Sequence, residues 1–122
     1  MAGRLTGSGG ACALPAAGEV LEVDTYVFAN GDHADHRWVV VVRPPRDHRD
    51  YLTVIQRSST NTEGDGVNSP LGELDCFTKP GRWILAYQRT ARWEEVESAI
   101  QHRCGRLASE SVRALVVMWE AS

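Results

Sequence analysis

The stretch WVVVV, residues 38–42, decides the fold class of this 122-residue chain. Valine is β-branched and favours strands, and alternate side chains of a strand point to opposite faces of the sheet. An unbroken run of four valines therefore predicts a strand that is buried on both faces. The sequence on either side of this run contains further strand patterns, so we expect a sheet with the valine strand inside it.

Four further stretches combine β-branched, aromatic or aliphatic residues with turn signals at their ends. They are residues 18–28 (GEVLEVDTYVF), 51–56 (YLTVIQ), 73–77 (ELDCF) and 82–88 (RWILAYQ). The polar segment 43–50, which contains Pro44-Pro45, is predicted to be a turn. The polar segment 57–70 is predicted to be a long loop because it contains two glycines and a proline and no strand pattern.

The C-terminal third of the chain changes from a strand period to a helical period. Apolar residues recur at helical spacing, beginning with Trp93, Val96 and Ile100. We predict one helix over residues 93–103, ended by Gly105, and a second over residues 109–119, capped by Ser109. The predicted fold class is mainly β with C-terminal helices (α+β), in which a small antiparallel barrel or curled sheet carries two helices at one end.

The composition is that of an ordinary globular protein. The net charge of −3 argues against avid, nonspecific binding of nucleic acid, although a local basic patch remains compatible with it. The three cysteines form no CxxC pair and predict reduced thiols in a cytoplasmic protein. No apolar run approaches the ~18 residues of a membrane span, so no membrane contact is expected. We expect a flexible tail over residues 1–16 and one domain over residues 17–122.

The segment DHADHR, residues 32–37, has the most reactive composition in the chain. Histidine titrates near neutral pH, so His33 and His36 are candidates for proton transfer, and a solvated loop is the alternative. The two histidines and two aspartates have no partner cluster elsewhere in the sequence. We therefore expect no metal and no cofactor.

Three patches together resemble the MazF/PemK family of toxin endoribonucleases. The first is Gly18-Glu19-Val20 followed by Val23-Asp24, which is similar to the family's opening strand. The second is Arg37, which leads into the valine strand at a spacing similar to the family's, although Trp38 stands where the family usually has proline. The third runs from Gly105-Arg106-Leu107 through Glu110 to Arg113-Ala114 and resembles a family motif at the last helix. The resemblance covers residues 18–120 and implies a small SH3-like barrel.

The resemblance also implies metal-independent cleavage of single-stranded RNA by attack of a 2′-hydroxyl on the adjacent phosphorus. Arg37 corresponds to the family's arginine, and its planar guanidinium suits bidentate contact with phosphate. The family's hydroxyl corresponds to Ser58, Ser59 or Thr60, and the sequence leaves open which. His33 or His36 would then carry a proton. The alternatives are a surface charge for Arg37 and a local turn for the three hydroxyl residues.

Further RNA contacts are expected from four arginines in and after the turn: Arg43, Arg46, Arg49 and Arg57. A solvated turn is the alternative for the first three, because aspartates lie among them. The resemblance implies a homodimer that is neutralised by a cognate antitoxin protein. A second hypothesis belongs to another class: a non-catalytic protein of MazF/CcdB fold that acts by binding a protein target or its antitoxin.

Overall fold

The computed structural model describes residues 13–23, 37–60 and 65–122. Within these ranges the chain forms six strands and two helices. In chain order they are β1 (Glu19–Val23), β2 (Arg37–Arg43), β3 (Tyr51–Ser58), β4 (Gly66–Ser69), β5 (Gly81–Arg92), α1 (Trp93–Ala99), β6 (Ile100–Arg106) and α2 (Ser109–Glu120). Every neighbouring pair is antiparallel, in the order β4-β5-β3-β2-β1-β6. The predicted mainly β architecture with two helices is confirmed.

Strand β2 lies inside the sheet, and its valines alternate between two hydrophobic clusters. Val39 and Val41 pack in one cluster with residues of α1, whereas Val40 and Val42 pack in the other with Leu115 of α2. Each of the four valines is at most 3% exposed. Full burial of such a side chain contributes roughly 1.5–3 kcal/mol. The prediction of a strand buried on both faces is therefore confirmed, and each helix covers one face.

The prediction for the segment after β5 is wrong in part. The first helix ends at Ala99 rather than at residue 103, and residues 100–106 form β6, which pairs with β1. Without β6, one edge of β1 would present unpaired main-chain groups, and closing that edge outweighs local helix preference. Gly105 ends no helix: it has a φ of +118° and lies at a bulge of the β1–β6 ladder.

Three smaller expectations also need correction. The predicted loop over residues 57–70 contains strand β4, because Gly66–Ser69 pairs with the start of β5. The predicted strand over residues 73–77 is a series of turns, in which Phe77 N–H donates to the Leu74 carbonyl. Its apolar residues, Leu74, Cys76 and Phe77, pack against the α2 side of the core without forming a strand. The cap of α2 is Ala108, which makes no side-chain cap hydrogen bond, and Ser109 is the first helical residue.

The sheet is open in the described part of the chain, because the edge strands β4 and β6 do not pair with each other. It is nevertheless strongly irregular between β3 and β5. Ile55 pairs with Gln88 and Arg57 pairs with Trp83, so that Gln56 alone lies across from residues 84–87. An insertion of this kind bends a strand and increases its twist. The first part of β5, before this insertion, pairs with β4, and a cleft lies at this end of the sheet.

The other edge of the sheet is fixed by an ion pair. Arg103 on β6 donates to both carboxylate oxygens of Glu19 on β1, at 2.6 and 2.8 Å. The same guanidinium donates to the main-chain carbonyl of Ala13, at 2.9 Å. Ala13 lies in the expected tail, of which residues 1–12 are outside the described residues. Neither helix of the described chain has the length and apolar content that crossing a bilayer requires.

Candidate functional site

A cleft of about 430 Å³ lies where β2 begins and β3 ends. Arg37 and Trp38 of β2 line one part of it, and residues 56–60 line the part at the end of β3. Thr78 and Lys79, from the turn before β5, line a third part. The bend in β5 adds Tyr87 and Arg89. Four segments that are distant in sequence therefore meet at one site.

The charge of the cleft is opposite to that of the chain. Four of its lining residues are cationic, namely Arg37, Arg57, Lys79 and Arg89. Within the described chain, no aspartate or glutamate lines it. The net charge of the whole chain is −3, whereas the cleft is lined by cations and by no carboxylate of the described residues, so the cleft is locally positive on an acidic chain. A concave, positively charged site attracts anionic ligands and orients them.

Hydroxyl groups lie beside these cations. Ser58 is half-buried at the end of β3, whereas Ser59 and Thr60 are exposed. The Thr60 N–H donates to Ser58 Oγ at 3.3 Å, and the two side-chain oxygens are 3.5 Å apart. The local turn considered as an alternative for these residues is therefore formed, and it lies on the cleft wall. A turn of this kind holds hydroxyls in place without removing them from the site.

Arg57 has a structural role in the cleft wall. Its side chain is 5% exposed, and its Nε and Nη2 donate to the hydroxyl and the carbonyl of Ser69, at 2.7 and 2.8 Å. The guanidinium carbon lies 3.9 Å from the centroid of the Phe77 ring. Burial lowers the pKa of Arg57 from its ordinary value, but an arginine remains protonated at neutral pH. The buried guanidinium therefore keeps its positive charge, which adds to the positive potential of the cleft.

The strand register places three polar side chains in a row on one face of the sheet. Arg37 and Val39 share a face because they are two residues apart on β2, and Val39 pairs with Gln56 of β3. Val54, two residues before Gln56, pairs with Arg89 of β5. Arg37, Gln56 and Arg89 thus continue the face on which Val39 and Val54 pack under α1. The apolar face ends in a polar row, and all three members of the row line the cleft.

Two atoms of this row are buried without a hydrogen-bond partner among the described residues. They are Nε2 of Gln56 and Nε of Arg89. Arg89 is otherwise anchored, because its Nη1 donates to the main-chain carbonyl of Gln88 at 2.7 Å. An unpaired buried donor typically costs about 1–3 kcal/mol, so such groups in a cleft are candidates for ligand contacts.

The predicted site residues separate into three groups. Arg37, Ser58, Ser59, Thr60 and Arg57 meet in the cleft. Arg43, Arg46 and Arg49 do not, because they lie at the far end of β2, which is roughly 20 Å long. Arg46 is engaged there by Asp50, in an ion pair of 3.4 Å. His33 and His36 lie outside the described residues. In the described ranges, no cluster of three histidine, cysteine or carboxylate side chains suits a metal ion.

Gln56, Thr78, Lys79, Tyr87 and Arg89 were not predicted to belong to the site. Lys79 precedes Pro80-Gly81, and this turn signal marks a chain reversal but not its neighbours in space. Tyr87 comes from a strand predicted only for its apolar pattern, and Arg89 lies just beyond the predicted end of that strand. Tyr87 belongs to the stretch 84–87 that the register shift leaves unpaired with β3, and the sequence contains no local signal for this shift. Arg89 is placed by its pairing with Val54.

Comparison with known proteins does not assign a family. Neither models of known protein families nor curated protein sequences give a significant match to the chain. The site is therefore interpreted from its own geometry and charge.

Proposed function

We propose that this protein is a toxin-type endoribonuclease that binds single-stranded RNA in the cationic cleft and cleaves it without a metal. The observation that carries the proposal is the meeting of Arg37 with the hydroxyls of Ser58, Ser59 and Thr60 in one concave, positive site. Arg37 begins β2, and the three hydroxyl residues lie at and directly after the end of β3. Cations that follow a phosphate backbone and hydroxyls that donate to phosphate are the groups that RNA binding requires.

In this proposal, Arg37 neutralises the charge that develops on the non-bridging oxygens when the 2′-hydroxyl attacks phosphorus. One hydroxyl among residues 58–60 donates to the same oxygens. Ser58 is the best placed, because it is half-buried and already fixed by the Thr60 N–H. Lys79 and Arg89 bind the flanking phosphates. Proton transfer by His33 or His36 stays a prediction, and loss of the right histidine should flatten the rate profile between about pH 5 and 8.

The proposal includes a MazF/PemK-like SH3 barrel, a cytoplasmic homodimer and a cognate antitoxin. The register shift between β3 and β5 supports the barrel, because an insertion of this kind increases the bend and twist that a closed sheet requires. The charge of the cleft supports the antitoxin, because an acidic segment would compete with RNA for the same cations. Exposed Val117 on α2 and Leu71 offer apolar surface for a second subunit.

The test is incubation of the purified protein with a long, unstructured RNA in the presence of EDTA, followed by mapping of the ends. The proposal predicts cuts that leave a 2′,3′-cyclic phosphate and a 5′-hydroxyl. A matched RNA with a single 2′-deoxynucleotide before each cut site should resist cleavage, because it lacks the nucleophile. Cleavage that needs a divalent metal, or that continues in the deoxy-substituted RNA, would reject the mechanism.

One observation favours the non-catalytic hypothesis. Among the described residues that line the cleft, none is a histidine or a carboxylate, so a general base for the 2′-hydroxyl has to come from elsewhere. The same cleft without a base would bind an anionic partner and leave it intact. A protein that arrests growth and binds an acidic antitoxin peptide, but cuts no RNA, would establish this alternative.

A further inference from the structure

Gln56 occupies the centre of the polar row, between Arg37 and Arg89. Its side chain is 4% exposed, and Nε2 has no hydrogen-bond partner in the described part of the chain. The adjacent positions on the same face, Val39 and Val54, are fully buried valines. An apolar residue would suit this environment better, because an unsatisfied buried amide destabilises a fold. A polar group retained at such a cost, on the floor of a cleft, indicates a ligand contact.

The chemistry of the amide indicates which part of an RNA it contacts. A phosphate offers hydrogen-bond acceptors only, and three cations that line the cleft, Arg37, Lys79 and Arg89, suit such acceptors. A glutamine offers a donor and an acceptor side by side. The edges of nucleobases present the same combination, and a bidentate contact between an amide and a base edge is a common mode of base recognition. Phosphate contacts position a nucleic acid, whereas contacts to base edges carry sequence information.

We infer that Gln56 is a specificity-determining residue that hydrogen-bonds the edge of one nucleobase, while the surrounding cations hold its phosphates. This inference rests on the proposed RNA function. The base would enter the cleft between the Arg37 and Arg89 side chains and complete the hydrogen bonds of the buried amide. Arg89 Nε is the second donor of the row that has no partner among the described residues, and it can donate to an acceptor of the same nucleotide.

The test measures binding of short, fluorescent 2′-O-methyl oligonucleotides, which cannot be cleaved through the 2′-oxygen. Uridine, cytidine and adenosine homopolymers are compared with an abasic chain of equal length. The unmodified protein should bind at least one homopolymer about tenfold or more above the abasic chain, as expected for a bidentate base contact. Gln56→Met should lower the affinity for that homopolymer to the affinity for the abasic chain. It should leave the affinity for the abasic chain unchanged. Gln101→Met, on the exposed part of β6, is the matched control and should change neither.

The thermal unfolding of the free variants separates base recognition from a structural role. Because Nε2 is unsatisfied within the described ranges, Gln56→Met should melt at the same or a higher temperature than the unmodified protein. Gln56→Asn withdraws the amide by one methylene and should also lose the preference, which provides a second variant. A markedly lower melting temperature of Gln56→Met, or an unchanged preference in either variant, overturns the inference. Equal binding of homopolymers and abasic chain by the unmodified protein overturns it too, but leaves RNA binding intact. If the unmodified protein binds neither the homopolymers nor the abasic oligonucleotide, the proposed function and the inference are both wrong.

Discussion

Arg57 Nη2 donates a hydrogen bond of 2.6 Å to the main-chain carbonyl of Lys79. With its bonds to Ser69, the same guanidinium joins the end of β3, the end of β4 and the turn before β5. The Lys79 side chain lines the cleft, so a buried arginine fixes the segment that presents an exposed lysine. The two residues have different roles: Arg57 builds the wall, and Lys79 is available to a ligand.

The main effect of replacing Arg57 should be a lower stability of the fold rather than the loss of a phosphate contact. In Arg57→Met, the Ser69 hydroxyl and two main-chain carbonyls lose their donor, and we expect a loss of about 3 kcal/mol or more in the free energy of unfolding. Arg57→Lys should also be destabilised, because a lysine cannot reproduce the planar set of donors. Urea denaturation measures the change, with exposed Arg49→Met as the control. A stability of Arg57→Met equal to that of the control would show that these hydrogen bonds are not made.

Replacement of Lys79 should weaken RNA binding through charge alone. Lys79 is exposed, and its main-chain carbonyl, which holds Arg57, is retained in Lys79→Ala. The slope of log affinity against log salt should fall by about 0.7 for one lost phosphate contact on a single strand. Fluorescence anisotropy over a series of salt concentrations gives this slope. Arg49→Ala removes an equal charge at the far end of the β2–β3 turn. A slope change in Arg49→Ala as large as that in Lys79→Ala would move the RNA path out of the cleft.

Cys104 should be chemically inert in the folded protein. Burial raises the pKa of its thiol well above the usual range, and contact with Cys76 raises it further. A thiolate forms only as the pH approaches the pKa, so Cys104 stays protonated at neutral and mildly alkaline pH. Iodoacetamide labelling at pH 8, followed by peptide mapping, should find Cys104 unmodified until a denaturant is added. Rapid labelling in the folded state would contradict the raised pKa of this half-buried thiol and would reopen a role for it.

The sequence predicts the sheet better than its edges. The run of four valines was sufficient for a strand inside the sheet, because no other arrangement buries both faces of such a strand. Residues 100–103 were predicted as the end of a helix because Ile100 fits the helical spacing of Trp93 and Val96, but they belong to β6. These residues form β6 because they pair with the open edge of β1, and this tertiary contact is not visible in the local spacing.

The sequence likewise predicted only some of the residues of the site. Arg37 and residues 58–60 could be proposed from the sequence because they adjoin strongly patterned strands and match a family's spacing. Lys79 and Arg89 could not, since the hydrogen bond from Arg57 holds Lys79 at the cleft and pairing with Val54 places Arg89, and both are tertiary contacts. Gln56 sits in an apolar strand, and the sequence does not show that its Nε2 lacks a partner among the residues that the structure describes.

The most direct test of the account compares the RNA cleavage rates of two arginine variants in EDTA. Arg37 and Arg43 are the first and last residues of β2, and only Arg37 lines the cleft. Arg37→Ala should cleave ~10²–10³-fold more slowly than the unmodified protein, the usual effect of losing one preorganised donor to the transition state. Arg43→Ala should cleave at the unmodified rate, and both should unfold at similar urea concentrations. Cleavage by Arg37→Ala at the rate of Arg43→Ala would contradict the assignment of the cleft as the catalytic site.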